Sequence, residues 1–161
     1  MSASTLLIIW HSRTGTSEQL ARAAYEGAGE AGRLLRARDV EPSDLIEAGG
    51  YLFCCPENLA SMSGEMKEMF DRCYYPVLGQ LEGRPYATVI AAGSDGEGAQ
   101  RQIDRIATGW RLKRVTDPWI VSTEAQAPEE ILAPKTIVGR TRTQASELGA
   151  ALAEGIAQGI F

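Results

Sequence analysis

Hydroxyl side chains are concentrated in one short segment near the start of this 161-residue sequence. Four hydroxyls, one arginine and one glycine occupy residues 12–17, directly after an apolar run. The candidate ligands in this segment are Ser12, Arg13, Thr14, Gly15, Thr16 and Ser17. Backbone N–H groups and hydroxyls at the start of a helix suit a doubly charged phosphate, and an arginine adds positive charge. Simple helix capping by Ser or Thr is the alternative, but a cap needs fewer hydroxyls, so the composition favours phosphate binding.

The cysteines and the single histidine indicate neither a metal site nor a thiol enzyme. The three cysteines form no CxxC pair, and one histidine cannot complete a zinc-ligand spacing. A thiol phosphatase needs an arginine six residues after its cysteine, but Ala60 and Ser61 follow Cys54 and Cys55 at that distance. His11 could help to bind phosphate or transfer a proton, although a structural or solvent-facing role is favoured.

Short apolar runs alternate with helical periodicity along the chain. The runs predict strands at residues 6–10, 34–37, 51–55, 86–92 and 119–121, the second of them near a sheet edge. Helical spacing predicts helices near residues 20–25, 62–73, 103–110 and 148–156, a short helical turn at 42–46, and a long loop at 123–139. Gly27 and Gly29 are expected to close the first helix. Pro56 is expected to stop the third strand, and Pro76 to end the next helix.

Five βα units without a β-hairpin signal predict a doubly wound α/β sandwich. Ligands of such sheets bind beyond the carboxyl ends of the strands, where the strand order reverses. The loops after strands 1, 3 and 4 are therefore the expected site. The loop after strand 4, Gly93–Ala99, contains three glycines, which allow the backbone to approach a ligand closely.

Residues Ile9–Ser17, followed by Ala21, resemble the FMN phosphate loop of the flavodoxin superfamily. That pattern is apolar, aromatic, any residue, Ser or Thr, two residues, Gly, any residue, Thr, three residues, Ala. The sequence departs from it at Trp10, where Tyr or Phe is usual, and at Ser17, where serine keeps the hydroxyl of the usual threonine. The resemblance implies a flavodoxin-like three-layer doubly wound sandwich whose five-stranded parallel sheet has the order 2-1-3-4-5, as a single FMN-binding domain over residues 1–161.

The segment Pro56–Lys67, with Asp71 after it, resembles NADPH-dependent FMN reductases and flavodoxin-like quinone reductases. In that family Pro-Glu-aromatic-x-Gly-Ser opens a loop that holds the edge and one face of the isoalloxazine ring. By this resemblance the candidate flavin-binding residues are Pro56, Glu57, Asn58, Leu59, Ser61 and Met62. Asn58 replaces the aromatic residue and Ala60 replaces the glycine, so a stacking ring is missing. From the residues alone, Pro56 could simply stop a strand and Ser61 or Ser63 cap a helix.

The matching third loop of the superfamily covers the second face of the flavin or its dimethylbenzene edge. The candidates there are Gly93, Ser94, Asp95 and Gly96. Asp95 could bind a ribityl hydroxyl, but initiation of a turn is favoured.

The resemblance implies an FMN-dependent oxidoreductase with NAD(P)H as co-substrate. Hydride would pass through flavin N5 to a quinone, a flavin or a similar small-molecule acceptor. Because the cofactor carries the chemistry, we expect no catalytic side chain and no metal. A non-enzymatic electron carrier of the flavodoxin type is the alternative, although such carriers are usually more acidic. A module that has lost FMN and serves a partner is a third hypothesis, because of the departures at Asn58 and Ala60.

Composition and charge limit the remaining function classes. The hydrophobic fraction is 44%, and 16 basic against 21 acidic residues give a net charge of −5, which argues against nucleic-acid or membrane partners. No apolar run approaches the length of a membrane span. Unpaired cysteines favour a reduced cytoplasmic setting. The family resemblance makes a homo-oligomer, a dimer or tetramer, an expectation.

Overall fold

A computed structural model describes residues 4–161 of the chain. The strands in this part of the chain are β1 Leu6–Trp10, β2 Gly32–Arg36, β3 Gly50–Asn58, β4 Ser61–Met62, β5 Pro85–Ala92, β6 Lys113–Arg114 and β7 Trp119–Ser122. The α-helices are α1 Thr16–Ala28, α2 Pro42–Glu47, α3 Gly64–Val77, α4 Glu97–Gly109, α5 Pro128–Leu132 and α6 Gly139–Gln158. None of the helices within residues 4–161 is long and apolar enough to cross a membrane.

The parallel sheet has the predicted order, with its fifth position shared by two short strands. The order is β2-β1-β3-β5, and both β6 and β7 pair with β5 in parallel. The guanidinium of Arg114 donates a hydrogen bond to the carbonyl of Thr116 at 3.0 Å, and Pro118 has no N–H to donate, so the ladder is interrupted between them. The flavodoxin-like α/β fold predicted from the sequence is therefore confirmed.

The end of β3 differs from the sequence prediction. Pro56 does not stop the strand: it pairs with Ala91 of β5, and β3 continues to Asn58. The chain then reverses through Leu59 and Ala60, with φ angles of 53° and 65°, and pairs antiparallel as β4. This short β-hairpin is additional to the five predicted βα units. The turn lacks the Asn-Gly or Asp-Gly pair that usually marks such a reversal, so the sequence offered no sign of it.

Two hydrophobic clusters cover the faces of the sheet. On one face, α3 and α4 pack against the sheet. The buried cluster there includes five residues of the segment predicted as a helix, namely Met62, Met66, Met69, Phe70 and Cys73. Met62 belongs to β4 rather than to the helix. On the other face, α1 and α6 bury a second cluster that includes Leu20 and Leu152. The elements therefore form three layers, with helices on both sides of the sheet.

The first helix also ends later than predicted. Gly27 lies inside α1, which continues to Ala28, and Gly29 follows its last residue. A Cβ at Gly27 would overlap the carbonyl of Ser146 in α6, so this glycine serves close helix packing and does not end the helix. Pro76 lies one residue before the end of α3, and the predicted long loop at 123–139 contains the short helix α5.

Candidate functional site

The three predicted loops meet at the carboxyl edge of the sheet around a cavity of about 280 Å³. The lining residues that the sequence predicted are Ser12, Arg13, Thr14, Thr16, Ser17, Pro56, Glu57, Asn58, Leu59, Gly93 and Ser94. The structure thus brings together residues from the ends of β1, β3 and β5. This is the crevice in which a doubly wound sheet binds its ligands.

Five predicted residues lie outside the cavity lining. Gly15 is the N-cap residue of α1 and has no side chain to line the cavity. Met62 is buried in the core. The hydroxyl of Ser61 donates a hydrogen bond to Oε1 of Gln102 at 3.1 Å. Asp95 accepts a hydrogen bond from the N–H two residues later, at 3.3 Å, which fits the favoured turn role. The N–H of Gly96 donates a hydrogen bond to the carboxylate of Glu57 in the second loop.

Further residues that line the cavity were not predicted as site residues from the sequence. The additional lining residues are Ala91, Ala92, Thr123, Ala125, Gln126, Ile131 and Lys135. The first two continue a predicted strand to its end. The others belong to residues 123–139, which show no periodicity and no recognisable motif, so only tertiary structure places them here.

The hydroxyls at the start of α1 are buried and have no protein partner. Thr16 is 5% exposed and Ser17 is 1% exposed, and within residues 4–161 neither hydroxyl oxygen makes a hydrogen bond. No side chain caps α1, because Ser12 accepts from the N–H of Gly15 at 3.0 Å and Gly15 itself occupies the N-cap with φ 112°. Simple capping therefore does not explain these hydroxyls.

Buried polar groups normally have partners, because leaving one unsatisfied costs about 1–3 kcal/mol. Two unsatisfied hydroxyls beside the positive end of a helix, with Arg13 in the same lining, form a set of donors for a dianion. The residues present therefore fit a phosphate group at this end of the cavity.

The second and third loops are fixed to each other by Glu57. Its carboxylate accepts hydrogen bonds from the N–H of Gly96 at 2.8 Å and from the N–H of Ala99 at 3.2 Å, at the start of α4. A Cβ at Gly98 would overlap the carbonyl of Ala60, so the β3–β4 turn packs directly on α4. The wall formed by these two loops is thus held by a charge-assisted contact rather than by sequence neighbours.

His11 connects the phosphate loop to α3 without lining the cavity. Its Nδ1 is 2.8 Å from the hydroxyl of Ser63, and its Nε2 is 3.9 Å from Glu65, which forms a two-pronged ion pair with Arg36 at 2.8 and 3.0 Å. Burial lowers the pKa of His11, partly opposed by Glu65, whereas the hydrogen bond from Arg36 lowers the pKa of Glu65. This places His11 in the structural role that the sequence favoured.

The cysteine thiols lie in the core. Burial raises the pKa of Cys55 to about 12 and raises the pKa values of Cys54 and Cys73 as well. Such thiols are protonated at neutral pH and do not act as nucleophiles.

Comparisons with known proteins agree with this geometry. The family model of the NADPH-dependent FMN reductases matches residues 42–126. A flavodoxin of Aquifex aeolicus (strain VF5) is 28% identical over 97 residues, which cover 58% of this chain and 52% of the relative, so the chain spans about half the length of that protein.

Solved structures confirm the fold. A flavodoxin from the domain Archaea superposes with a TM-score of 0.73 at 17% identity, covering 94% of this chain and 98% of its own. A WrbA-like flavodoxin from Agrobacterium tumefaciens has a TM-score of 0.73 at 15% identity, covering 96% and 98%. Both similarities are at the level of the fold.

Proposed function

Because the chain belongs to the NADPH-dependent FMN reductase family, we propose that it binds FMN in this cavity and acts as an NAD(P)H-dependent oxidoreductase. The acceptor is proposed to be a quinone, a flavin or a similar small molecule. The observation that supports FMN most directly is the pair of buried, unpartnered hydroxyls of Thr16 and Ser17. They complete a phosphate site at one end of a cavity whose other walls come from the loops after β3 and β5.

At the phosphate end, the hydroxyls of Ser12, Thr14, Thr16 and Ser17 and the N–H groups at the start of α1 would hold the phosphate, with Arg13 adding charge. At the other end, the backbone of Pro56–Leu59 and Gly93–Ser94 would hold the ring. Glu57 keeps these two walls at a fixed separation through the start of α4. When bound, FMN would supply the redox chemistry, namely hydride acceptance from a nicotinamide and electron delivery to an acceptor.

The rim of the cavity offers an apolar surface to a planar substrate. Leu59 is 100% exposed at the tip of the β3–β4 turn, and Ile131 of α5 is also exposed and lines the cavity. Apolar side chains at an open rim bind the faces of aromatic rings through buried area. This supports a nicotinamide or a quinone as the second ligand.

The test is reduction of the bound flavin. The purified chain is loaded with FMN and mixed anaerobically with NADH or NADPH while the visible absorbance of the flavin is followed, and a quinone is then added. We expect the absorbance to bleach with a reduced nicotinamide and to return with the quinone. Free FMN at the same concentration, without protein, is the control.

Two other results would contradict the proposal in different ways. If bound FMN is reduced only by a ferredoxin reductase, and never by NADH or NADPH, the protein is an electron carrier. If micromolar FMN shows no fluorescence quenching with the protein, the chain is a flavodoxin-like module that does not bind flavin.

A further inference from the structure

A second chain segment, which no sequence motif predicted, packs against the phosphate loop. Residues 133–137, which we call the strap, follow α5 and lie against residues 14–15. The N–H of Lys135 donates to the carbonyl of Thr14 at 2.8 Å. A Cβ at Gly15 would lie 3.2 Å from the carbonyl oxygen of Lys135, so loop and strap are in close contact.

One side chain makes most of the bonds between the strap and the phosphate loop. The amide nitrogen of Gln19 donates to the carbonyls of Gly15 at 2.9 Å and Lys135 at 2.8 Å, and its amide oxygen accepts from the N–H of Ile137 at 3.2 Å. Both ends of the Gln19 amide are therefore satisfied in the contact. Apart from the Gln19 contacts, the strap and the loop share one hydrogen bond within residues 4–161, from the N–H of Lys135 to the carbonyl of Thr14.

The Gln19 side chain also adds a second hydrogen bond to the carbonyl next to a candidate phosphate donor, the N–H of Thr16. In a trans peptide the N–H points opposite to the carbonyl, so fixing the carbonyl of Gly15 fixes the N–H of Thr16. The Gly15 carbonyl accepts from both the backbone and the side chain of Gln19, at 3.0 and 2.9 Å, on the helical side. The Gln19 side chain thus reinforces the backbone bond that already orients this peptide, whose N–H belongs to Thr16, a residue that lines the cavity.

The strap is held rigid by its own lysine. The ammonium of Lys135 donates to the carbonyls of Glu130, Ile131 and Ala133 at 2.7, 3.1 and 2.7 Å, at the end of α5. Lys135 also lines the cavity. A wall of fixed backbone therefore stands beside the phosphate loop and forms part of the cavity lining.

On the premise of the proposed function, we propose that Gln19 is a positioning residue that closes the strap against the phosphate loop and makes the cavity selective for a flavin monophosphate over a flavin dinucleotide. A terminal phosphate ester ends at the loop and needs no outlet. A pyrophosphate carries an adenosine that must pass the strap. Riboflavin has no phosphate, so its binding does not depend on the strap.

The experiment compares the affinities of FMN, FAD and riboflavin for the full chain by fluorescence quenching. Gln19→Leu removes all three side-chain bonds, and Gln19→Glu keeps an acceptor for Ile137 but places oxygen against the carbonyls of Gly15 and Lys135. Gln80→Leu is the matched control, because Gln80 is exposed and remote, and its side-chain amide donates a hydrogen bond to the carbonyl of Pro76. Circular dichroism checks the fold of each variant.

We expect wild type and Gln80→Leu to prefer FMN over FAD by about 100-fold or more, a difference of two decades in Kd. Both Gln19 variants should bind FMN about tenfold more weakly and lose most of that preference, while riboflavin affinity changes by less than about twofold. Hydrogen exchange at the amides of Lys135 and Ile137 should accelerate in both variants.

An unchanged FMN-to-FAD ratio in the folded Gln19 variants would overturn the inference, as would equal losses for FMN, FAD and riboflavin, which indicate a purely structural role. A wild-type chain that binds FMN and FAD equally would also overturn it, while leaving the proposed function intact. A wild-type chain that binds no flavin would refute both.

Discussion

The carboxylate of Glu57 and the N–H of Gly96 form a 2.8 Å hydrogen bond between residues 39 positions apart. The same carboxylate accepts from Ala99 at 3.2 Å, so one side chain from β3 caps the start of α4. Carboxylates at helix N-termini are stabilising because they satisfy free N–H groups and oppose the helix dipole. Glu57 therefore joins two walls of the cavity that share no local sequence.

We predict that Glu57→Gln lowers the free energy of unfolding by about 1–2 kcal/mol, because the amide loses the charge and can present only one acceptor to two N–H groups. The measurement is urea denaturation without flavin. Glu26→Gln, on the exposed face of α1, is the control and should change stability by less than about 0.5 kcal/mol. A loss no larger than that of the control would show that Glu57 does not stabilise the two loops.

The double variant Thr16→Val, Ser17→Ala should weaken FMN binding without lowering the stability of the flavin-free protein. The two hydroxyls are buried and unpartnered, so replacing them with apolar groups of similar shape should leave the flavin-free stability unchanged or raise it by about 1–2 kcal/mol. FMN affinity should fall at least about tenfold, since hydrogen bonds to a charged group are worth about 1.5–3 kcal/mol. Titration calorimetry and thermal unfolding measure the two effects, with riboflavin as the ligand that should be unaffected. A fall in stability together with unchanged FMN affinity would contradict this assignment.

His11 should make the folded chain less stable in weak acid. Burial lowers its pKa below the ordinary value of 6.5, so the unfolded chain binds a proton more readily than the folded one. The contribution of neutral His11 to the free energy of unfolding is fully present above about pH 6.5. It is lost as the pH falls through the folded-state pKa, by no more than about 1.4 kcal/mol per pH unit. The lowered pKa of Glu65 acts in a separate range, because its stabilisation is lost only as the pH falls below about 4.5.

His11→Gln removes the first of these two effects and keeps the main cause of the second, the hydrogen bond from Arg36 to Glu65. Denaturant midpoints measured from neutral pH down to about pH 5 should show a smaller loss in the variant than in the wild type. Equal slopes in the two proteins would mean that His11 does not titrate differently on folding.

Ala60→Gly should stabilise the β3–β4 turn. Ala60 has a φ of 65°, a left-handed conformation that costs an L-residue about 1–2 kcal/mol and costs glycine nothing. Part of this gain is offset because glycine has more conformational freedom in the unfolded chain. We therefore expect the free energy of unfolding, measured by thermal or urea unfolding, to rise by about 0.5–1 kcal/mol. Ala150→Gly, at an exposed position inside α6, is the control and should lose about 1 kcal/mol. A loss of stability in Ala60→Gly would show that the turn is not strained.

The strands and the hydroxyl-rich loop could be predicted because both follow from local patterns, whereas the strand order was implied by the family resemblance. Runs such as Leu6–Trp10 are apolar throughout, as a strand covered on both faces requires, and the hydroxyls of residues 12–17 lie next to one another in the sequence. Their position at the carboxyl edge then follows from the general rule for doubly wound sheets.

The β3–β4 turn and the strap could not be predicted, because long-range contacts determine both. Leu59 and Ala60 adopt left-handed backbone against residue preference, and the turn is held in place by its packing on Gly98 of α4. Hydrogen bonds to Thr14 and Gln19 hold Lys135 at the site, and both of these residues lie more than a hundred positions earlier in the chain. Residues 123–139 show no periodicity that would predict such a contact.

The close packing of α1 on α6 has a consequence for how the chain is made. Gly27 and Gly149 have no side chain at points where a Cβ would overlap the backbone of the opposite helix, so the two helices seat directly on each other. A ribosome releases α1 more than a hundred residues before α6. The helix that follows the phosphate loop therefore gains this support only after α6 has emerged, so a nascent chain that stops short of α6 lacks one support of the binding site.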